Sequence, residues 1–281
     1  MRTYLLNNGM ELPVIGFGTY SITGEALAPA VKAAVEAGYR LFDTASFYGN
    51  EEELGSALRQ TGLKREEYFL TTKCWRNQMG YGPALSAFGA SLEKLGTDYV
   101  DLYLIHWPRP NLSDPNWPGL CRQTWQALEA IYAAGQARAI GVSNFLPHHL
   151  EALLEEAKVV PALNQLEFHP GYSQPEACSA CWSRGILVGA WSPLGRMRGS
   201  GSPLLTALCE KYGVTMAQLC LRYSLQKGVL PVPKTASPQR MRENLDVFGF
   251  ALSSQDVAAL DAMPLTAWSG EHPDRERVRF G

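Results

Sequence analysis

Short apolar runs recur along the chain, each ending in polar residues and each followed by a segment with helical spacing. The runs are LPVIGFG (12–18), YRLFD (39–43), YFLTTK (68–73), VDLYLIH (100–106), ARAIGVS (137–143), ALNQLE (162–167), ILVGAWS (186–192) and VLPVPK (229–234). Near-continuous apolar runs predict strands buried on both faces, as in a parallel sheet covered by helices. The intervening segments carry helix punctuation. Residues 25–38 end on Gly38, 51–62 on Gly62 and 83–96 on Gly96, the last opening on Pro83. Pro at the start and Gly past the end is the asymmetry that helices favour. Further helices are expected over 120–135, 147–158 and 175–185, as a pair within 203–226, and over 237–249, where Ser237 is the N-cap and Pro238 opens the first turn.

Eight strand–helix units match the number that closes a (β/α)8 TIM barrel, an α/β fold. The competing open, doubly wound sheet carries a glycine fingerprint after its first strand. Here that strand ends GFGTYS, which is not G-x-G-x-x-G. Ahead of the first run, residues 4–6, an Asn8-Gly9 turn and residues 10–12 predict a β-hairpin. It is expected to plug the N-terminal end of the barrel. A barrel of this type uses roughly 250 residues as one domain, so residues 1–281 are read as a single domain.

Composition narrows the function. The chain is 46% hydrophobic with a net charge of −2, so no chain-wide attraction to nucleic acid or anionic membrane is implied. The N-terminal stretch lacks a signal-peptide pattern, and no window approaches the ~18 apolar residues of a membrane span. A cytoplasmic location is expected. Cys178 and Cys181 form a CxxC, but nothing completes a four-ligand zinc site, and two thiols on a helix is the favoured reading. His148 and His149 are adjacent and are expected to diverge on a helix, a poor metal pair. No metal is expected.

In a barrel of this kind the chemistry sits at the C-terminal strand ends. The polar residues there are Asp43 with Tyr48 in its loop, Lys73, His106, Ser143 with Asn144, Gln165, Trp191 with Ser192, and Lys234 with Thr235. Charged groups at inner strand ends are partly buried and need partners. Asp43, Tyr48, Lys73 and His106 come from three neighbouring strands and can converge. An ammonium beside a phenol is expected to lower its pKa from ~10, with Asp43 holding Lys73 charged. Such a tyrosine can give a proton to a developing alkoxide, and His106 can orient the same oxygen. The plainer alternative is an Asp–Lys ion pair beside a loop-anchoring tyrosine. Reduction of a carbonyl needs a hydride, which no side chain supplies, so a cofactor is implied.

The chain resembles the aldo-keto reductases along essentially its whole length. The matching stretches are GFGTY (16–20), LFDTASFYGNEEELG (41–55), TTKCW (71–75), DLYLIHWP (101–108), IGVSNF (140–145), NQLEFHP (164–170), WSPLG (191–195) and VPKTASPQRMREN (232–244). The chain length and the tryptophan of WSPLG look most like the microbial 2,5-diketogluconate-reductase-like branch. The resemblance implies a (β/α)8 barrel, a monomer, and reversible NADPH-dependent reduction of aldehydes or ketones. By position, Tyr48 would be the general acid, Asp43 and Lys73 would tune it, and His106 would place the carbonyl. Ser143, Asn144 and Gln165 match groups that bond the carboxamide. Trp191 matches an aromatic stacked on the nicotinamide. Gly18 and Thr19 would lie near its ribose. Ser192, Leu194 and Arg196 belong to the loop that covers the pyrophosphate, unless Arg196 and Arg198 only make a solvated basic loop. Lys234, Thr235 and Arg240 match a 2′-phosphate pocket, which agrees with cations near a helix N-terminus as an anion site. Glu243 and Asn244 would contact the adenine. Arg240 and Glu243 can also be read as an exposed i,i+3 pair.

Tyr20, Phe47, Trp75 and Trp107 follow the same strands and are expected to wall the substrate pocket, although aromatics also serve packing. The short charged tail SGEHPDRERVRFG implies an open pocket that takes several small carbonyls: methylglyoxal, aromatic aldehydes and keto-sugar acids. A different class remains open, a cofactor-binding or sensing protein of the same fold with little turnover. A sugar-phosphate barrel enzyme is a poorer match, because VPKTASPQR lacks the glycines of a phosphate site after strand eight.

Overall fold

The computed structural model describes residues 2–279. A hairpin of β1 (Thr3–Leu5) and β2 (Glu11–Pro13) comes first, antiparallel, pairing Thr3 with Pro13 and Leu5 with Glu11. Eight parallel strands follow: β3 (Phe17–Gly18), β4 (Leu41–Asp43), β5 (Phe69–Cys74), β6 (Val100–Ile105), β7 (Ala137–Ser143), β8 (Leu163–Glu167), β9 (Leu187–Trp191) and β10 (Val229–Val232). Each is hydrogen-bonded to the next in sequence order. The seam between first and last is bridged by Gly16 N–H to Pro231 O and Gly18 N–H to Pro233 O, both 3.0 Å. The sheet is therefore a nearly closed (β/α)8 barrel, as the eight-fold alternation predicts. The run 12–18 does not form one strand. Leu12 and Pro13 belong to the hairpin, and only Phe17–Gly18 joins the barrel.

Helices α1 (Leu27–Ala37), α2 (Glu51–Gln60), α3 (Tyr81–Leu95), α4 (Trp117–Ala133), α5 (Pro147–Leu154), α6 (Pro175–Trp182), α7 (Pro203–Tyr212), α8 (Met216–Gln226) and α9 (Pro238–Leu245) fill the predicted positions. One more, α10 (Ser254–Asp261), has no counterpart among the expected helices. Its N-cap Ser253 accepts from Asp256 N–H, and Leu260 anchors its inner face. None of the helices among the described residues is long and apolar enough to cross a membrane.

The core has two layers. Inside the barrel, Leu41, Leu102, Leu104, Leu163 and Leu230 pack with Leu6 and Leu12 of the hairpin segment. Outside it, Phe42, Tyr103, Ile140, Val142 and Val188 pack against the helices. This is the period-2 division that a strand buried on both faces requires. The hairpin turn bonds the N-terminal side of the strands: Asn7 to Pro161 O and Asn8 to Arg138 O, each 3.0 Å. It therefore plugs the bottom, leaving the opposite end free. Gly141 lets β7 and β8 pass closely; a Cβ there would lie 2.4 Å from Leu163 O.

Candidate active site

A cavity of about 1050 Å³ opens at the C-terminal end of the barrel. At its floor β4 and β5 bring Asp43 and Lys73 side by side. Lys73 is wholly buried, and its Nζ donates to Asp43 Oδ1 (2.5 Å), to Thr44 O (2.9 Å) and, at 3.5 Å, to the Tyr48 hydroxyl. Gln165 Nε2 donates to the other Asp43 oxygen at 2.8 Å. A buried charge pair is stable only when its remaining hydrogen-bonding capacity is met, and here both carboxylate oxygens are held. Tyr48 sits on a 3-10 turn, Ser46–Tyr48, that is followed by Gly49 in the left-handed region. Its ring lies edge-on to His106 at 5.7 Å and to Tyr20 at 5.0 Å.

The electrostatics differ from the expectation in sign. Burial pushes the Tyr48 phenol well above its usual value, and the Asp43 carboxylate and Tyr20 add to the rise. Lys73 does not offset this rise, because its charge is balanced by Asp43 at closer range than it reaches Tyr48. Burial pulls Lys73 down, with Asp43 opposing. Burial also pulls His106 well down, helped by the charges of Lys73 and Arg76. At neutral pH the site thus presents a protonated phenol and a neutral imidazole, two groups able to hydrogen-bond one oxygen.

Phe47 stacks on Trp75 at 3.8 Å, and Trp75 meets the His106 ring at 4.9 Å. Both, with Tyr20 and Trp107, line the cavity as expected. Along its other arm lie Gly18, Asn144, Gln165, Trp191, Ser192, Leu194 and Arg196, and beyond them Lys234, Thr235, Arg240, Glu243 and Asn244. Asn144 takes a left-handed φ of 64°, which asparagine tolerates, and this lets its amide bond His106 O and the Trp191 indole N–H (2.8 Å). Around the start of α9, Thr235 Oγ1 accepts from Ser237 N–H and Ser237 Oγ accepts from Arg240 N–H. Arg240 makes no pair with Glu243, which accepts from Gln239 instead. The exposed i,i+3 pair is therefore not formed.

Three expected site residues stand behind the wall rather than on it. Lys73 acts from behind Asp43 and Tyr48. Thr19 is buried with its hydroxyl donating to Asp43 O at 2.9 Å. Ser143 is buried with its hydroxyl donating to Gln165 O at 2.7 Å. Both β-strand-end hydroxyls are spent on holding neighbouring backbone. Asn50 is fully buried, and its side-chain amide ties Thr19 O and Ile22 O to the loop. Arg198 is off the cavity and reaches Trp268 O. The CxxC pair lies buried on α6 with both thiols free, as the helical reading has it.

His148 and His149 do not diverge. Their rings lie 3.9 Å apart, and both Nε2 atoms reach Asp274, at 3.2 and 3.0 Å. The carboxylate comes from the tail and sits between them, so adjacency is no obstacle. Three potential ligands are thereby grouped. However, His149 Nδ1 accepts from Leu146 N–H, so its Nε2 carries the proton given to Asp274 and has no lone pair for a metal. Arg109 adds a third contact to Asp274, at 2.9 Å. The group is a clamp on the tail. Glu167 fixes the same segment through Ser269 N–H and Oγ. Pinned this way, Glu271, His272, Arg275, Glu276 and Arg277 line the cavity mouth. The tail, whose residues 280 and 281 lie outside the described residues, is a wall of the pocket and does not leave it open on that side.

Against known proteins, the model of the Aldo/keto reductase family matches residues 14–264. The chain belongs to this family. It is 43% identical to the glyoxal reductase of Bacillus subtilis (strain 168), over 97% of this chain and 96% of that one. Among solved structures it is similar to an aldo/keto reductase from Brucella melitensis, with TM-score 0.86 and 42% identity, covering 92% of this chain and 98% of that one. It is also similar to the Bombyx mori aldo-keto reductase in complex with NADP, with TM-score 0.85 and 33% identity, covering 99% of this chain and 95% of that one. As an aldo-keto reductase the protein is an oxidoreductase, and members of its family use nicotinamide cofactors.

The cavity fits such a group on its own features. Trp191 offers a half-buried aromatic face, and Gln165, with Nε2 committed to Asp43, keeps Oε1 as an acceptor. Lys234 and Arg240 are exposed and have no side-chain partner among the described residues. Two uncommitted cations beside the start of a helix suit a phosphate.

Proposed function

We propose that the protein reduces aldehydes or ketones to alcohols with NADPH, and that Tyr48 is the proton donor. The observation that carries this reading is Lys73 Nζ, bonded to Asp43 at 2.5 Å and 3.5 Å from the Tyr48 hydroxyl, beneath a cavity that His106 also faces. Bound NADPH supplies the hydride. Trp191, Asn144 and Gln165 would hold its nicotinamide end, Gly18, Ser192, Leu194 and Arg196 its middle, and Lys234, Thr235, Arg240, Glu243 and Asn244 its adenosine end. The similar Bombyx mori enzyme is in complex with NADP, which supports the choice of a phosphorylated cofactor.

The chain's own contribution is positional and electrostatic. Neutral His106 orients the substrate oxygen. As the carbonyl carbon gains a hydride, negative charge grows on that oxygen, and the Tyr48 O–H proton moves onto it. The raised pKa keeps Tyr48 loaded with its proton. Lys73 Nζ, 3.5 Å from the Tyr48 oxygen, faces the phenolate left behind and stabilises its charge, and Asp43 keeps Lys73 in reach. The phenolate then regains a proton from solvent. The catalytic residues are Tyr48 and His106; Lys73 and Asp43 are positioning residues. Small aldehydes such as glyoxals are favoured as substrates by the Bacillus relative's name and by the aromatic wall of Tyr20, Phe47, Trp75 and Trp107.

The test is loss of NADPH absorbance at 340 nm with methylglyoxal, 4-nitrobenzaldehyde and 2,5-diketogluconate. Turnover of at least one substrate is expected, with NADH a poorer donor. Tight NADPH binding without turnover of any of them would instead make this a cofactor-binding protein.

A further inference from the structure

Arg76 occupies an unusual position. It follows β5 directly, on the 3-10 turn Arg76–Gln78. Its guanidinium stacks over the Trp107 ring at 4.4 Å. It lines the same cavity as His106 and Trp75. Its charge is close enough to His106 to help depress that imidazole. It therefore stands at the substrate end of the cavity, whereas Lys234 precedes α9 and Arg240 lies in its first turn.

No nitrogen of Arg76 has a hydrogen-bond partner among the described residues, and its Nε is buried. A buried donor without an acceptor is costly, more so on a charged group. Arg109 makes a useful contrast. Its Nε is also unpartnered, but its terminal nitrogens hold Asp274 and Leu112 O. Arg76 has nothing equivalent. Glu271 is the carboxylate that most favours its charge, yet Glu271 is bonded to Arg277 Nε at 3.1 Å instead. Stacking on Trp107 fixes the plane of the guanidinium without using its N–H donors. The donors are left for something that enters the cavity, and a planar fork of this kind matches a carboxylate.

We infer that Arg76 is an anion subsite for the substrate, and that the preferred carbonyl compounds carry a carboxylate. This rests on the carbonyl-reduction reading above and adds a substrate class to it. The reacting carbonyl sits between Tyr48 and His106, and the carboxylate turns toward Arg76 along the Trp75–Trp107 wall. Uncharged carbonyls lack this second anchor and bind through the aromatic wall alone.

Matched pairs test the inference at two lengths: 4-carboxybenzaldehyde against 4-nitrobenzaldehyde, and succinic semialdehyde against butanal. The wild type is expected to favour the carboxylate member of at least one pair in kcat/KM, mainly through KM. In Arg76→Gln the ratio of carboxylate to neutral member is expected to fall roughly 10-fold or more. Arg76→Lys, which keeps the charge without the fork, should recover part of it. An unchanged ratio in Arg76→Gln, or no carboxylate preference in the wild type at either length, overturns the inference. Benzoate binding, followed by quenching of tryptophan fluorescence with benzamide as the neutral control, gives a readout without turnover. Benzoate should bind the wild type and bind Arg76→Gln roughly 10-fold more weakly. If no aldehyde is turned over, the reduction reading fails; Arg76-dependent benzoate binding would then still support the subsite, and Arg76-independent binding would overturn it.

Discussion

The two arms of the cavity are built on opposite plans. Where Asp43, Lys73, Tyr48 and His106 meet, every group is buried or half-buried, with Lys73 held by three contacts, Asp43 through both oxygens, and the His106 ring packed edge-on against Tyr48 and Trp75. Around the start of α9, Lys234 and Arg240 are exposed and uncommitted. The difference teaches how one fold divides its labour. Stabilising charge that exists only fleetingly requires groups already in place, because reorganisation would consume the gain. Holding a permanent phosphate does not, since the ligand itself orders flexible cations when it arrives. The first arm is thus expected to govern kcat and stability, and the second to govern cofactor affinity.

The largest effect should come from Tyr48→Phe. It removes the proton donor and is expected to lower kcat by roughly 10²- to 10⁴-fold, measured by NADPH oxidation. Asp43→Ala should come next, read as stability. It leaves the wholly buried Lys73 ammonium without its partner, which destabilises by about 3–5 kcal/mol and should lower Tm by roughly 10 °C in a calorimetric scan. Arg240→Ala, at the exposed arm, should weaken NADPH roughly 10-fold and leave NADH nearly unaffected, with normal Tm. Trp191→Phe breaks the 2.8 Å bond from the indole to Asn144 Oδ1 and should cost about 1 kcal/mol, a few-fold in cofactor affinity. The smallest effect is an expected absence. The folded-state pKa of His106 lies well below 6.5 and that of Tyr48 well above 10.0. Neither group changes protonation between about pH 8 and about pH 6, so kcat/KM for reduction should not fall across that window. A titration centred near the ordinary histidine value would contradict a neutral His106.

The sequence made some of this arrangement readable and hid the rest for physical reasons. The eight-fold alternation, with no glycine fingerprint after the first strand, pointed to a barrel, and the barrel placed Asp43, Lys73 and His106 at neighbouring strand ends. Their meeting was therefore legible without coordinates. The roles of Thr19 and Ser143 were not. A hydroxyl at a strand end turns either into the cavity or back to the backbone depending on a single rotamer, and here both turn back. The direction of the Tyr48 shift was hidden because it is set first by the burial of the phenol and then by the nearby Asp43 carboxylate, both properties of the packed structure. The clamp of His148 and His149 on Asp274 spans more than a hundred residues, and no local periodicity reports such a contact. Nothing in the sequence sets Arg76 apart from other charges on the chain. Its lack of partners is a property of the packed structure alone.

The division of labour is tested most directly by measuring kcat and the Kd for NADPH side by side in Tyr48→Phe and Arg240→Ala. The expected result is a crossover. Tyr48→Phe loses roughly 10²-fold or more in kcat with Kd nearly unchanged, and Arg240→Ala loses roughly 10-fold in Kd with kcat nearly unchanged. If Tyr48→Phe kept its turnover, or if both variants lost the same parameter to the same degree, the account of a prebuilt catalytic arm and an open binding arm would be wrong.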